Sequence, residues 1–317
     1  MAPPAKVALD DTQPSSARFG LTDLLLLGAI TAWGSFPILG KLALAHIPAL
    51  VFVPLRMWLA TGGLFVYAAA TRQSLRIHRQ EWGRLLLVGI LGWSINQILY
   101  MLGLPLTTAG HTGLMVATTP IFAAITARAL GLETLERSQV AGILLCLVSV
   151  GWLQRQTVGL AWLPDAWLGD LLILGSAATD GIRVALVTSL LRRYGATRII
   201  TWCTLINAVS LTPIAVIPAR ELSWAAIPPS AWAIVLWTSL VNVVLANIAW
   251  HIGIRRIGSV RTTVYQYIQP ILSIILGVIL LNERYPLSSA PPSLLLLLGV
   301  FLVRWPRAQR GNGHRVS

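Results

Sequence analysis

The sequence predicts an all-α integral membrane protein, ten transmembrane helices arranged as two inverted five-helix repeats. Three observations carry this. The 317-residue chain is 56% hydrophobic and only 11% charged, against roughly 25% charged in soluble domains, so its charged side chains cannot cover a surface of this size. Apolar stretches near the roughly 20 residues needed to cross the hydrocarbon recur ten times. Residues 150 apart match one another, which divides the chain into two halves.

Residues 1–20, with Pro3, Pro4, Pro14 and Ser15-Ser16, read as a disordered cytoplasmic tail. They are not a signal peptide, because the apolar run behind them exceeds a signal core of roughly 7–15 residues and lacks a small-residue cleavage site. The first span, 22–43, is apolar up to Lys41 near its end, and the second, 49–70, starts behind Pro48 and carries Arg56. Arg72, Arg76, Arg79 and Arg84 separate it from the third, 85–104, and a loop from Pro105 to Gly110 leads to the fourth, 112–130. The fifth, 139–154, closes a first repeat spanning 21–155. The sixth, 168–190, holds Asp180 and Arg183; the seventh, eighth and ninth, 199–218, 231–252 and 263–281, lack ionised side chains. The tenth, 292–304, follows Ser288-Ser289-Ala290-Pro291-Pro292 and ends a second repeat over 166–305, with 306–317 left as a basic cytoplasmic tail. Pro37, Pro54, Pro120, Pro213 and Pro270 lie inside spans, where each removes a backbone hydrogen bond and can kink its helix.

Direction follows from the basic residues, since loops rich in Lys and Arg stay cytoplasmic. With the N-terminus inside, 18 of them fall on the cytoplasmic side, and Arg155, Arg220 and Arg284 are the 3 outside. Both termini are therefore expected in the cytoplasm. Trp82, Trp152, Trp162, Trp167, Trp224, Trp232 and Trp305 sit near span ends, as an interfacial aromatic belt requires.

At the offset of 150, Gly103 matches Gly253, Thr112 matches Thr262, Pro120 matches Pro270 and Glu133 matches Glu283. Gly-Asp-Leu-Leu at 169–172 echoes Thr-Asp-Leu-Leu at 22–25, so the sixth span copies the first. Five is odd, so the second copy reverses direction in the bilayer. Inverted repeats of this kind are a signature of secondary transporters, whose substrate site lies near the midplane between the halves.

Several classes are excluded. The net charge of +13 suggests nucleic acid only if the basic residues gather on one polar face, and here they lie between apolar segments. Cys146 and Cys203 both fall in apolar runs, so neither a disulfide framework nor a metal site is available. There is no Walker A, HExxH or GxSxG sequence, hence no expected cofactor, metal or catalytic residue. Scattered His46, His78, His111, His251 and His314 do not make an enzyme site.

Trp33-Gly34-Ser35-Phe36 before Lys41, Arg56 after Pro48 and Ala49, Gly103 to Gly110, Pro120 before Gly131-Leu132-Glu133, and Tyr267-Ile268-Gln269-Pro270 before Asn282-Glu283-Arg284 together resemble the EamA-type permeases of the drug/metabolite transporter superfamily over about 21–305. The resemblance implies ten helices and cytoplasmic termini in a bacterial inner membrane. It implies a central cavity lined mainly by spans three, four, eight and nine, with spans five and ten outside the transport core. It also implies export of a small metabolite, an amino acid or a similar amphipathic molecule, by alternating access. A channel or a lipid-translocating protein is the rival reading.

Inside the spans, Asp180 lies ~18 Å from the outer start of its helix and Arg56 ~11 Å; Arg183 shares the face of Asp180 at i+3. Charges at that depth are expensive and face a cavity or a partner. We expect Asp180, Arg183 and Arg56 to form a cluster that holds a substrate's polar head or carries a coupling proton; the alternative is a structural ion pair. Trp93, Asn96 and Tyr100 share one face, Asn247 and Trp250 a second, and Tyr265 and Gln269, with Thr262, a third. With Trp33, these make an aromatic and amide lining suited to a small amphipathic ligand; the alternative is interhelical hydrogen bonding. Thr118, Thr119, Asn207 and Asn242 are weaker candidates. Lys41 is expected to snorkel to the rim, and Glu133 and Glu283 to cap helices or pair with Arg137 and Arg284. The expected partners are a small-molecule substrate, membrane lipid and a coupling proton.

Overall fold

The computed structural model describes residues 20–131, 135–157, 164–258, 262 and 265–304, and among these residues it is helical with no strand. Both tails, Glu133, Trp162, Arg261 and Trp305 lie outside the described residues. The chain forms ten helical rods there. They are α1 (Leu21–Leu44), α2 (Ala49–Ala70), α3 (Arg79–Leu106), α4 in two pieces (Ala109–Val116 and Thr119–Ala129), α5 (Arg137–Thr157), α6 (Ala166–Tyr194), α7 (Ala196–Glu221), α8 (Pro229–Ile257), α9 (Tyr265–Leu281) and α10 (Ala290–Arg304). Six of these, α1, α2, α3, α6, α7 and α8, are long and apolar enough to cross a membrane, and α5, α9 and α10 contain shorter apolar helices. Val66, Ile217 and Ile279 are exposed on the outside, as lipid-facing side chains are.

Three helices depart from a simple rod. The fourth span breaks at Ala117 and Thr118, because Pro120 has no N–H to continue the ladder; the hydroxyls of Thr118 and Thr119 donate instead to the carbonyls of Met115 and Val116 at 2.6 and 2.8 Å. Pro270 likewise stands near the start of the regular part of α9, behind a 3-10 turn at Tyr265–Tyr267. Helices α3 and α8 each contain a widened π segment, Val88–Ile95 and Trp237–Leu245. These segments are repeat equivalents at the offset of 150. Neither contains proline or any other signal that the residue pattern could have revealed, and π turns concentrate at functional sites.

The packing respects the repeat. Helix α1 lies against α8 and α9, and its copy α6 lies against α3 and α4; α2 pairs with α7, α5 with α10, and α4 with α9. Close crossings correspond residue by residue. A Cβ placed on Gly34 would meet Leu272 of α9, and one on Gly181 would meet Phe122 of α4; positions 34 and 181, and 122 and 272, are equivalent. Gly253 against Leu26 mirrors Gly103 against Ile173. Helix α1 ends where α6 begins, since Lys41 and Asp170 both bond Thr107. The two copies therefore run in opposite directions.

Candidate functional site

At the end of the bundle marked by Lys41, five rods meet in one polar network. The Lys41 ammonium donates to the Thr107 carbonyl and pairs with Glu283 Oε1 at 2.5 Å. Asn282, in the left-handed region at φ 52°, closes α9 and turns Glu283 inward, so that Oε2 accepts the Ala109 N–H at 2.7 Å. Next to it, the fully buried Asp170 takes the Thr107 hydroxyl and lies 2.9 Å from His111 Nδ1. A buried carboxylate is tolerable only with partners of this kind. Lys41 thus does not snorkel, and Glu283 pairs with it rather than with Arg284. The repeat equivalent of Asp170 is Asp23 at the opposite end, where it accepts the Tyr265 hydroxyl and the Gly20 N–H.

The middle of the bundle holds two arginines, Arg183 and Arg56, and two repeat-equivalent helix crossings. Where α6 crosses α3, Arg183 Nε donates to Asp180 Oδ1 at 2.7 Å, and the guanidinium lies 5.1 Å from the Trp93 ring centroid. Gly92, inside the π segment, allows that approach, because a Cβ there would fall 2.3 Å from Arg183 Cβ. Where α1 crosses α8, Trp33 replaces Asp180. Its ring meets Trp250 at 5.3 Å and its Nε1 donates to the Asn242 carbonyl at 3.0 Å, while Asn242 Nδ2 returns a bond to the Ala32 carbonyl at 2.8 Å.

Arg56 stands apart from both crossings. Its guanidinium lies 4.3 Å from the Phe36 ring centroid and 5.9 Å from that of Phe52, and Phe36 stacks on Tyr100 at 5.4 Å. The three-member charge cluster expected from the sequence does not form. Arg183 lies beside Gly92 of α3, and the Phe36–Tyr100 stack carries Arg56 eight residues further along α3, on the order of 12 Å away at 1.5 Å per residue. Arg56 is only 2% exposed, and its Nε and Nη1 have no hydrogen-bond partner among the described residues. Both amide atoms of buried Asn207, on α7, and the hydroxyl of Thr61, on α2, are also unpartnered.

The chain matches the EamA-like transporter family over residues 20–154 and 167–305. It belongs to that family. Among its relatives are an uncharacterized transporter, YetK, of Bacillus subtilis, 23% identical over 82% of this chain and 79% of that one, and an uncharacterized transporter of Archaeoglobus fulgidus, 22% identical over 89% and 96%. A WAT1-related protein of Arabidopsis thaliana, At1g44800, is 27% identical over 71% and 68%. A solved structure shares the fold with a TM-score of 0.63 at 22% identity, covering 89% of this chain and 94% of its own. The protein is a multi-pass membrane transporter and not an enzyme.

Within this EamA fold the remaining expected residues divide. Asn96 Nδ2 donates to the Ser176 carbonyl of α6 at 2.8 Å and Gln97 Nε2 to Asn96 Oδ1 at 3.3 Å, so this amide joins helices. Asn247 spends its amide on Val243 of its own helix. Tyr265 closes on Asp23 at a bundle end rather than facing the centre. Gln269 sits at the α1–α9 crossing, its carbonyl 3.4 Å from where a Gly34 Cβ would be. Sequence reasoning missed Asp170 and His111. By sequence Asp170 reads as a span-end residue and His111 as a residue at a loop, yet both are buried; the 147-residue echo of Asp23 is the signal that points to Asp170.

Proposed function

We propose that this EamA transporter is a secondary carrier that exports a small amphipathic metabolite across the bacterial cytoplasmic membrane by alternating access. On this reading all ten rods span the bilayer, the two repeats occupy 21–155 and 166–305, and the termini are cytoplasmic, as the 18 to 3 distribution of basic residues favours. The Lys41 end then faces outward. The observation that carries the proposal is the exchange of equivalent crossings, α1 on α8 and α9 against α6 on α3 and α4, by helices running in opposite directions. Rocking that loosens one set at one end has a counterpart at the other, which is the mechanical requirement of a carrier with inverted repeats. Export is the direction the family resemblance implies.

Trp33, Trp93, Asn96 and Tyr100 from the first repeat, with Asp180, Arg183, Asn247, Trp250 and Gln269 from the second, are the groups assigned to substrate or to a coupling proton. Reconstituted protein should show saturable counterflow; leak that rises linearly with concentration would identify a pore, and lipid scrambling without solute exchange a lipid translocator. Asp180→Asn should keep the protein folded but abolish pH dependence of transport. Unchanged transport with unchanged pH dependence removes Asp180 from the mechanism.

A further inference from the structure

We propose that Arg56 is the docking point for the carboxylate of a monoanionic substrate, an inference that rests on the carrier reading of the same central region. Among the described residues, every carboxylate inside the bundle already has a partner: Asp180 holds Arg183, Glu283 holds Lys41, and Asp170 holds His111 and Thr107. Arg56 has no carboxylate within ion-pair distance among the described residues, although it is more deeply buried than the paired Arg183. A lone buried charge is strongly unfavourable, and replacement by an apolar side chain would be the stabilising choice. A purely structural role accounts poorly for its presence.

The repeat shows what the site lacks. At the offset of 147, Phe36 is the equivalent of Arg183 and Arg56 that of Cys203. Each half therefore carries one guanidinium inside the bundle, on α6 in one case and on α2 in the other. In the second half Asp180 supplies the counter-ion. In the first, the Asp180 position is Trp33, and the counter-ion must come with a ligand. The rings of Phe36 and Phe52 flank the guanidinium and leave Nε and Nη1 free to donate; a planar carboxylate matches a guanidinium edge. One spare positive charge balances one negative charge, which favours a monocarboxylate over a dianionic phosphate. Val53, three residues before Arg56 on α2, lines a small apolar cleft with Ile98, Met101 and Leu211.

The test is ligand binding by the purified full chain in detergent, followed by melting temperature. The probes are acetate, isovalerate and phenylacetate at millimolar concentration, each against its neutral amide, with inorganic phosphate as the dianion. At least one carboxylate should give a saturable upward shift that its amide and phosphate do not. Arg56→Met should melt at or above the parent without ligand and lose the carboxylate shift. Arg56→Lys, which keeps the charge without the planar fork, should bind about tenfold more weakly, the factor for one charge-assisted hydrogen bond, and it decides the matter if the Met variant does not fold. The proposal is overturned if no carboxylate binds, if amide or phosphate binds as well, or if either variant binds the carboxylate like the parent. Vesicle counterflow is read separately: carboxylate binding without exchange sinks the carrier reading alone, and exchange of a solute without a carboxylate sinks this inference alone.

Discussion

The α6–α3 crossing and the α1–α8 crossing are built on the same backbone and filled with different chemistry. Both pair a first-position helix with a third-position helix across the π segment, and both stand beside a glycine crossing, Gly181 on Phe122 or Gly34 on Leu272. One is then closed by the Asp180–Arg183 ion pair over Trp93, the other by Trp33 on Trp250 and a reciprocal Trp33–Asn242 link. The neutral version shows that the fold needs no charge at this place. The Asp180–Arg183 pair on α6, in the second half, is therefore not demanded by the architecture, whereas the glycines and π turns belong to it.

The ends of the bundle differ more than the crossings, and the largest expected effect lies there. Asp170 and Asp23 are equivalent by sequence, but Asp170 is fully buried with two partners, while Asp23 is only partly covered at its helix start. Asp170→Asn leaves His111 and Thr107 with a mismatched partner in a dry site and should cost about 3 kcal/mol, as breaking a buried pair does. Asp23→Asn should leave the melting temperature of the detergent-solubilised protein nearly unmoved. Equal losses would mean that the two ends are alike, contrary to the asymmetry drawn here.

A second contrast is steric. A Cβ on Gly181 would fall 2.5 Å from Phe122 Cβ and 2.7 Å from the Ala123 nitrogen, so backbone must move. The same atom on Gly34 would be 3.1 Å from Leu272 Cβ and 3.4 Å from the Gln269 carbonyl, a contact that small shifts relieve. Gly181→Ala should therefore cost about 1–3 kcal/mol, in the range of overpacked cores, and Gly34→Ala clearly less. Denaturant unfolding of both variants ranks them; the reverse order would place the tighter crossing in the wrong half.

How far these contrasts could be read from the chain depends on the length scale of the signal. Span positions and the repeat were legible because each rests on many residues: apolar runs, and matches such as Gly103 with Gly253. The π segments were not, since Val88–Ile95 reads as ordinary apolar helix; in the fold it packs against α6 and α7. Arg56, Asp180 and Arg183 stand out in the sequence as rare charges within apolar runs. Their grouping failed because helical depth gives height but not azimuth, and nothing in the sequence said that Arg56 would turn to Phe36 on α1. Asp170 and Glu283 were undervalued for the opposite reason: a carboxylate at a span end reads as interfacial until another rod, here α4, is seen to cover it.

The smallest expected effect tests whether the neutral crossing is held by its hydrogen bond or by its rings. Trp33→Phe removes the Nε1 donor to the Asn242 carbonyl but keeps an aromatic ring against Trp250. Interhelical hydrogen bonds in membranes average about 0.6 kcal/mol, and the widened turn at Trp237–Leu245 leaves carbonyls without their usual helical donor, so the loss should be near that value. Trp33→Ala removes ring and bond together and should cost more, up to the lower end of the about 3–5 kcal/mol that deletion of a fully buried aromatic side chain costs, since Trp33 is half-buried. If the Phe variant already shows the full loss, the bond to the π segment carries the crossing. The α1–α8 contact would then be polar in its energetics, and its contrast with the charged α6–α3 contact would shrink to one of strength.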